Sequence, residues 1–366
     1  MREGWEIRKV KEICDKASSN VAQKEIAGSS GDYPVYGASG YVQNVDFFHR
    51  DKPYIGVVKD GSGVGRVNTY PAKSSLLGTL QYIIPKDGYL LGYVAYLLKS
   101  LNLAKFATGA AIPHIYFKEY GECKVPVPPI AEQEKIVAEL DCLTGIIEKK
   151  RQQLEELDKL ARSIFYYMFG DPITNEKGWN VKKLGDEFGI ASGGTPSTKE
   201  KAFWENGTIS WIGSNMCHNE VIYQNDGKFI TEAGLSHSSA RLFRKGFVLV
   251  ALVGATIGKV ALIEFDTTTN QNIAGIDVPA NKGFSSYFVF YLIQSLYCLF
   301  DSIGEGNFKM ANLSFVRSLP LITPPIDLQN EFAQKIEAIE KQKEFVKRSI
   351  VETETLFNSR MDYWFN

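Results

Sequence analysis

The sequence predicts an α+β protein in which two similar globular domains are separated by two long helices, which pair as an antiparallel coiled coil with pseudo-twofold symmetry. One segment occurs twice, as VPPIAEQEKIV from Val127 and as TPPIDLQNEFA from Thr323. A long run with the apolar spacing of a helix follows each copy, and a stretch rich in Gly, Tyr and Phe precedes it. We therefore expect globular domains at residues 1–126 and 171–322, and helices at residues 127–170 and 323–366.

Composition and charge narrow the class of protein. The 366 residues are 44% hydrophobic and 23% charged, which is ordinary for a globular chain of two or three domains. A net charge of −1 excludes a simple polycation, although DNA binding needs only one basic face. Five scattered cysteines without a CxxC pair predict reduced thiols in a cytoplasmic protein and no metal site. We expect no membrane segment or signal peptide, because glycines and Lys259 interrupt the longest apolar run and MREGWEIRKV lacks an apolar region.

Each globular domain opens with Gly-Trp and a short basic strand, GWEIRKVKEI from Gly4 and GWNVKKLGDEF from Gly178. Two β-branched runs joined by a glycine turn follow, YIGVVKDGSGVGRV in the first domain and FVLVALVGATIGKV in the second. An amphipathic helical run comes next, from Gly92 and from Ser286, and then a polar loop and a short strand. The mixture of strands and helices in this order predicts the α+β class.

The two long helices begin where a Pro-Pro pair ends each domain. Proline suits the first turn of a helix and cannot donate to a strand ladder. An apolar 4,3 spacing follows at Ile136, Leu140, Leu143, Ile147, Leu154, Leu157, Ala161, Ile164 and Met168, and again at Phe332, Ile336, Ile339, Val346, Ile350, Phe357 and Trp364. The polar interruptions are Lys150 in the first helix and Lys343, Thr353 and Arg360 in the second. Spacing sustained in this way favours a coiled-coil seam between the helices, and the alternative is that each helix covers only its own domain.

Several motifs together resemble one known family. They are the two P-P-I-x-x-Q helix openings, the two Gly-Trp openings, SGGTPS at Ser192–Ser197, ISWIGSNM from Ile209, GATIGKV from Gly254 and TNQNIAGI from Thr269. In order and duplication, the whole chain resembles the specificity subunit of Type I restriction–modification systems. Two departures stand in the first domain, which has YGASG at Tyr36–Gly40 in place of the SGGTPS loop, and AIPHIYF in place of NFKMANLSF. These departures predict that the two half-sites differ.

The resemblance implies a partner set and a division of labour. Each target-recognition domain would bind one half of a bipartite, asymmetric site in double-stranded DNA. The paired conserved helices would hold the domains apart and dock methylation subunits, expected to be two, with restriction subunits where the system has them. The chain itself would bind no cofactor. The methylation subunits would use S-adenosylmethionine for adenine methylation, and a restriction subunit would use ATP with Mg²⁺.

The residues themselves offer no recognisable catalytic motif. An adenine methyltransferase needs a Pro-Pro-Tyr/Phe loop for the flipped base, whereas both Pro-Pro pairs here precede isoleucine, Ile130 and Ile326. GATIGKV and DGSGVGRV lack the spacing of a phosphate-binding P-loop and are better interpreted as tight turns. We therefore predict a non-catalytic protein. The alternatives are a stand-alone enzyme with two divergent active sites, and a bivalent non-DNA adaptor that uses the coiled coil as a spacer.

Candidate DNA contacts are polar or basic side chains in loops, because base edges and phosphates are bound by such groups. In the first domain they are Tyr36, Ser39, Lys59, Ser62, Arg66, Thr108 and His114. In the second they are Ser192, Thr195, Ser197, Lys199, Asn215, Lys259, Gln271, Asn272, Asn307 and Lys309. The alternative for Ser, Thr and Asn is turn capping, and for Lys and Arg a solvated surface. We expect the tryptophans Trp5, Trp179, Trp204 and Trp211 to pack in the domains.

Overall fold

The computed structural model describes residues 2–109, 112–303 and 310–366. The chain divides into two compact units: unit 1 comprises Met1–Arg151 and Arg348–Asn366, and unit 2 comprises Gln152–Lys347. Each unit therefore contains one globular domain, part of the first long helix and part of the second. In the part of the chain that the structure describes, no helix is both long and apolar enough to span a membrane.

Unit 1 is built mainly from antiparallel strands. They are β1 (Glu6–Lys9), β2 (Cys14–Ser18), β3 (Tyr33–Gly37), β4 (Gly40–Val45), β5 (Tyr54–Val58), β6 (Val67–Tyr70), β7 (Ser75–Leu76), β8 (Leu80–Pro85) and β9 (Lys124–Val127). The sheets have the orders β2-β8-β5-β6, β4-β3-β7 and β1-β9. The short helices are α1 (Val10–Ile13), α2 (Gln23–Ile26), α3 (Leu91–Ser100) and α4 (Phe117–Tyr120), with a 3-10 turn at Leu103–Phe106.

The core of unit 1 forms between α3 and the β5 strand. Every residue of β5 is buried, as are residues 93–98 of α3, so both elements lie inside apolar surroundings. The predicted glycine connection joins β5 to β6 through residues 59–66, and the two strands pair antiparallel. The opening strand β1 pairs antiparallel with β9, which places the start of the domain beside the strand that leads to the Pro-Pro pair.

Unit 2 repeats this plan with more strands. They are β10 (Val181–Lys183), β11 (Gly189–Ser192), β12 (Ile209–Ile212), β13 (Glu220–Ile222), β14 (Phe229–Ile230), β15 (Leu242–Phe243), β16 (Val248–Ala251), β17 (Val260–Ile263), β18 (Thr267–Thr269), β19 (Ile273–Asp277) and β20 (Pro320–Ile322). The sheets have the orders β11-β19-β16-β17-β13, β14-β12-β18-β15 and β10-β20. The long helices are α5 (Ile130–Phe169) and α11 (Ile326–Phe365). Between them lie α6 (Leu184–Glu187), α7 (Glu232–Ser236), α8 (Ser286–Ser295), α9 (Tyr297–Asp301) and α10 (Leu313–Ser318), with 3-10 turns at Lys201–Phe203, Ser214–Met216, Gly254–Thr256 and Ala280–Lys282.

The second glycine connection also joins a pair of antiparallel strands, because β16 pairs with β17 across residues 252–259. The helical run from Ser286 is not continuous: α8 ends at Ser295 and α9 starts at Tyr297. The extra residues of this domain build the sheet that contains β18. All three threonines of β18 are buried, and the Thr267 and Thr268 hydroxyls are satisfied by the side chain and the carbonyl of Ser210.

Both long helices start directly after their Pro-Pro pair, as predicted, and the repeated glutamine anchors each start. Gln133 is buried, accepts a hydrogen bond from the Leu90 N–H (2.9 Å) and donates to the Pro128 carbonyl (3.1 Å). Gln329 is buried, accepts from the Ser285 N–H (3.1 Å) and donates to the Pro324 carbonyl (2.8 Å). The repeated P-P-I-x-x-Q sequence therefore attaches each long helix to the segment ahead of α3 or α8.

The helices pair antiparallel within each unit. In unit 1, Arg360 hydrogen-bonds to Glu139, and Lys150 hydrogen-bonds to Ser349 (2.7 Å). Residue numbers therefore increase along α5 in the direction in which they decrease along α11. In unit 2, Lys343 pairs with Asp158 (2.8 Å) while Phe169 packs on Phe332 (5.3 Å between ring centroids). Each helix also packs on a domain. The start of α5 joins the unit 1 core, and Phe165 joins the unit 2 core.

Candidate nucleic-acid interface

In unit 1 the structure brings two candidate loops together. The Gly61 N–H donates to the Pro113 carbonyl (2.9 Å), and the Ile115 N–H donates to the Lys59 carbonyl (3.0 Å). His114 forms backbone bridges with both Asp60 and Thr108. The glycine connection and the polar loop ahead of α4 therefore form one surface that carries Lys59, Thr108 and His114.

A histidine that is hydrogen-bonded to a carboxylate lies at the centre of this surface. The Nδ1 atom of His114 hydrogen-bonds to the Asp60 carboxylate, and its ring packs on Tyr116 at 4.2 Å. The Lys59 ammonium is 3.8 Å from the same carboxylate. A carboxylate on Nδ1 fixes the ring and leaves Nε2 to meet a ligand. Asp60 was missed in the sequence, where an aspartate before glycine is typical of a turn.

Arg66 is exposed, but its guanidinium already bonds within its own loop. It donates to the carbonyls of Gly63 (3.2 Å) and Ser62 (3.1 Å). Gly65 has a φ of +86°, and a Cβ there would lie 2.4 Å from the Ala104 backbone nitrogen. Only glycine fits this close approach, so the shape of the loop that presents Ser62 and Arg66 depends on it.

Tyr36 and Ser39 lie on a second part of unit 1. Tyr36 belongs to β3 and packs on the Tyr70 ring (4.8 Å between centroids), whereas Ser39 is exposed in the turn before β4. The turn lines a cavity with residues 20–23 and 77–79. The Lys59 N–H donates to the Thr79 carbonyl (3.0 Å), so this cavity adjoins the glycine connection. The packing of Tyr36 favours a structural role for its ring.

In unit 2 the ends of several strands place polar side chains together. The Thr195 hydroxyl bonds to the Gln271 side-chain carbonyl (2.7 Å), and the Gly194 N–H donates to the Thr269 carbonyl (2.8 Å). Ser192 is the last residue of β11 and pairs with Ala274 of β19, the strand that follows Gln271 and Asn272. Asn215 is exposed in the turn after β12, and a Cβ at Gly213 would lie 2.5 Å from its Oδ1 atom.

Two tryptophans support the loop that contains SGGTPS. The Trp204 indole donates to the Ser197 carbonyl (3.1 Å), and the Trp211 indole donates to the Gly194 carbonyl (3.4 Å). The two rings pack edge to face at 5.4 Å. Trp5 is buried and Trp179 is half-buried. All four therefore pack within the domains, as predicted. Ser197 and Lys199 are exposed on this loop, and Lys199 has no ion-pair partner among the described residues.

One described candidate is not part of this cluster. The side chain of Lys259 lines a cavity with Arg162 of α5 and with Tyr291 and Gln294 of α8. Asn307 and Lys309 lie outside the described residues. In the described part of the chain, no group of three or more His, Cys, Asp or Glu side chains could hold a metal ion.

With this geometry established, comparison with known proteins identifies the family. The family model of the Type I restriction modification DNA specificity domain matches residues 2–159 and again residues 176–355. The chain belongs to this family. Both matches cover a globular domain together with helical residues that follow it, so the duplication seen in the sequence is a duplication of a specificity domain.

Curated relatives carry the same description. The chain is 25% identical over 279 residues to the Type I restriction enzyme MjaIX specificity subunit of Methanocaldococcus jannaschii, covering 70% of this chain and 64% of that protein. It is 28% identical over 234 residues to the EcoR124I/EcoR124II specificity subunit of Escherichia coli, covering 61% of this chain and 54% of that protein. The matched region thus spans less than two thirds of the length of each of these relatives.

Solved structures show the fold. The S subunit of a Type I restriction–modification system from M. genitalium is 17% identical, with a TM-score of 0.62 and coverage of 99% of this chain and 96% of that chain. A chain from a study of complex assembly in the type I R-M system is 14% identical, with a TM-score of 0.55. The α+β class and the paired long helices are confirmed. The family assignment also confirms the predicted specificity-subunit class, and no comparison supports the bivalent adaptor.

Proposed function

We propose that this protein recognises a bipartite, asymmetric DNA site and directs adenine methylation and restriction by partner subunits. The observation that supports it is the repeated placement of polar loop residues beside a glycine connection in each unit. In unit 1 these are Lys59, Asp60 and His114. In unit 2 they include Thr195 and Gln271, and the carbonyl of the next residue, Asn272, accepts a hydrogen bond from the Leu252 N–H of the glycine connection (2.8 Å). Base edges are recognised by side chains of these types held in a defined geometry.

The two sets of side chains differ in chemistry, which supports two different half-sites. The unit 1 surface has an imidazole held by a carboxylate beside an ammonium group. The unit 2 cluster is built from hydroxyl and amide groups, including Thr195, Gln271 and Asn215. Histidine and lysine donate to guanine, whereas glutamine and asparagine suit the paired donor and acceptor of adenine. The expected site is therefore asymmetric.

We further propose that two methylation subunits bind, one on an equivalent apolar surface of each unit. Large apolar side chains are exposed at equivalent positions of the repeat: Ile7, Ile130, Leu356 and Tyr363 in unit 1, and Val181, Ile326, Leu160 and Tyr167 in unit 2. We call these sets docking surfaces 1 and 2. Exposed apolar residues that recur in both copies favour two copies of one partner.

Contacts within each unit support a common location for these residues. The Arg2 guanidinium lies over the Tyr363 ring at 4.1 Å, and the Lys177 ammonium lies over the Tyr167 ring at 5.9 Å. In each unit a basic residue ahead of the Gly-Trp opening thus contacts an exposed tyrosine of a long helix. The leucine seven residues before each tyrosine falls on the same helix face. No candidate DNA-binding residue belongs to either surface.

The docking surfaces are tested with Tyr167→Ala, Tyr363→Ala and the double variant. We expect each single variant to lose one methylation subunit and the double variant to lose both, while the affinity of the isolated chain for DNA is unchanged. The mass of the purified complex, measured by analytical ultracentrifugation, gives the stoichiometry. Tyr41→Ala is the matched control, because Tyr41 is 62% exposed on β4. A double variant that still assembles with two subunits refutes the surfaces.

The recognition function itself is tested by mapping methylated adenines in a host with and without this gene. We expect a split motif to be methylated only when the gene is present together with its methylation subunit. The absence of any gene-dependent motif would contradict the proposal. The methyl donor S-adenosylmethionine, and ATP with Mg²⁺ for restriction, are assigned to the partners and not to this chain. The five cysteines form no disulfide, which supports the proposed cytoplasmic location.

A further inference from the structure

A cavity of about 370 Å³ lies in unit 2 between α5, α8 and the end of the second glycine connection. Its volume falls in the range of small-molecule pockets, ~300–1,000 Å³. The side chains that matter for its chemistry are Arg162, Tyr166, Lys259, Tyr291, Gln294 and Tyr297. Its lining shares no residue with the Thr195 and Gln271 pair that supports half-site recognition.

The charge of the cavity suits an anion. Arg162 and Lys259 are both cationic and form no ion pair among the described residues, and the described lining contains no carboxylate. The Arg162 guanidinium donates a long hydrogen bond, 3.4 Å, to the Asp158 carbonyl. The Asp158 carboxylate is already paired with Lys343. Two cations without a counter-ion attract a ligand of negative charge.

The lining also includes an amide donor. Asn219 has its side-chain Oδ1 atom occupied by the Val260 N–H (3.0 Å), so its amide NH₂ group is available as a donor. The polar groups therefore favour a ligand that is rich in acceptors.

Aromatic rings complete the lining. Tyr166 and Tyr297 line the cavity and are 43% and 41% exposed, while Tyr291 is buried. The Tyr291 ring stacks near Phe165 at 6.4 Å, which fixes it in the wall. Tyrosine faces bind planar rings by stacking, and this interaction tolerates any base. A purely inorganic anion would leave these rings without a partner.

We propose that this cavity binds a single nucleotide, with its phosphate between Arg162 and Lys259 and its base against the tyrosines. The nucleotide is either free in solution or extrahelical in the bound DNA, since both present the same chemistry. This site goes beyond half-site recognition, which needs only paired duplex. It assigns Lys259 to this cavity and not to contact with base edges.

Unit 1 has a pocket at the equivalent position of the repeat, beside the first glycine connection and the end of α3. Its cations and its lining differ from those of the unit 2 cavity. Arg66 and Lys99 line it, but the Arg66 guanidinium is bonded to the Ser62 and Gly63 carbonyls and no aromatic side chain is part of the described lining. Of these two sites, only the unit 2 cavity therefore has aromatic side chains for stacking in its described lining. The inference predicts one nucleotide per chain.

The test is calorimetric titration of the full chain with a nucleoside 5′-monophosphate, the matching nucleoside, inorganic phosphate, and two duplexes that differ by one bulged nucleotide. We expect one nucleotide to bind per chain. Either the free nucleotide binds at least about tenfold more tightly than the nucleoside or phosphate alone, or the bulged duplex binds at least about tenfold more tightly than the duplex without the bulge. Lys259→Gln and Arg162→Gln should each weaken this binding at least about tenfold. Lys159→Met is the matched control on α5, since Lys159 is exposed and paired with Glu156.

The outcomes separate the two sources and the rival accounts. Binding of the free nucleotide identifies a soluble ligand, and a preference confined to the bulged duplex identifies an extrahelical nucleotide. If neither ligand is preferred, or if both cavity variants bind as the wild type does while their thermal unfolding is unchanged, the inference is wrong. Affinity for the fully paired target duplex, measured in parallel, reports separately on the recognition function.

Discussion

Gln133 and Gln329 show how a residue repeated in the sequence can have a structural purpose. Each is buried at the first turn of a long helix, and each bonds to a backbone N–H and a backbone carbonyl. A buried amide must satisfy both its donor and its acceptor, so replacement by an apolar residue would leave two backbone groups unpaired. The P-P-I-x-x-Q pattern identifies the family and also explains how each helix is attached.

At the level of single residues the sequence predicted some of the candidate interface. The glycine connections and the polar loops could be recognised because glycine and β-branched runs have local signatures. The bond between His114 and Asp60, and that between Thr195 and Gln271, join segments far apart in the chain. The position of Lys259 beside α5 also depends on tertiary packing. No local pattern contains this information.

Lys199 gives a prediction about phosphate contact. It is exposed beside the SGGTPS loop, and Lys199→Met should weaken DNA binding about equally for all sequences and lower the salt slope of log K by about 1. Fluorescence anisotropy at several salt concentrations measures this slope. Lys201→Met is the matched control, because Lys201 lies two residues away and pairs with Glu205 at 3.7 Å. An unchanged slope for Lys199→Met would remove Lys199 from the interface.

At the scale of elements, the apolar spacing predicted the helix seam but not its buried charges. Lys343 interrupts the spacing, and the structure surrounds its ammonium with Glu340 (2.9 Å) and Asp158 (2.8 Å). Burial raises the pKa of Glu340 and outweighs the attraction of Lys343. Burial would lower the pKa of Lys343, but the two carboxylates prevail and raise it. The ammonium of Lys343 remains charged between the two carboxylates, and buried Glu340 is harder to ionise than an exposed glutamate.

Lys343→Met should therefore destabilise unit 2 strongly. It leaves Glu340 buried without its partner, and breaking such a pair costs about 3–5 kcal/mol. The double variant Glu340→Leu with Lys343→Met should recover most of that stability, because both charges are removed together. Urea unfolding curves of the full chain provide the comparison, with the exposed neighbour Lys341→Met as control. If the single and the double variant lose the same unfolding free energy, the unpaired charge of Glu340 is not the cause of the destabilisation.

The helix pair of unit 1 should depend on pH through Glu139. Hydrogen bonding from Arg360 lowers the pKa of Glu139 below its usual value of 4.5, against the effect of burial, and the Trp364 indole also donates to it at 3.0 Å. A lowered carboxyl pKa stabilises the folded state at neutral pH, and this is lost as the pH falls through the folded value. Because the pair is about one-third exposed, we expect Glu139→Gln to cost about 1 kcal/mol at pH 7.

Denaturant unfolding at neutral pH and at pH values below 4.5 measures this dependence. The difference in unfolding free energy between Glu139→Gln and the wild type should shrink as the pH falls. Glu156→Gln is the control, because Glu156 pairs with Lys159 at an exposed site on the same helix. If the difference for Glu139→Gln is the same at every pH, the ion pair with Arg360 is not what stabilises this end of the helix pair.

At the scale of the whole molecule, one chain contains two specificity domains with a shared framework and different loops. The framework consists of the opening strand paired with the strand before Pro-Pro, the glycine connection, the helix beside it and a long helix. The loops of the candidate interface differ, as the contrast between YGASG in unit 1 and SGGTPS in unit 2 illustrates. The sequence predicted this duplication because the shared framework has strong local signatures. The choice of bases depends on side chains brought together by the fold.

Each unit is expected to recognise its own half of a split DNA site. The most direct measurement is to replace residues 171–322 with the corresponding domain of another family member and to sequence the adenines methylated in a host that lacks the original gene. We expect a motif in which one half is unchanged and the other becomes that of the donor protein. A chimera that assembles and methylates DNA but retains both original halves, or changes both, would contradict it.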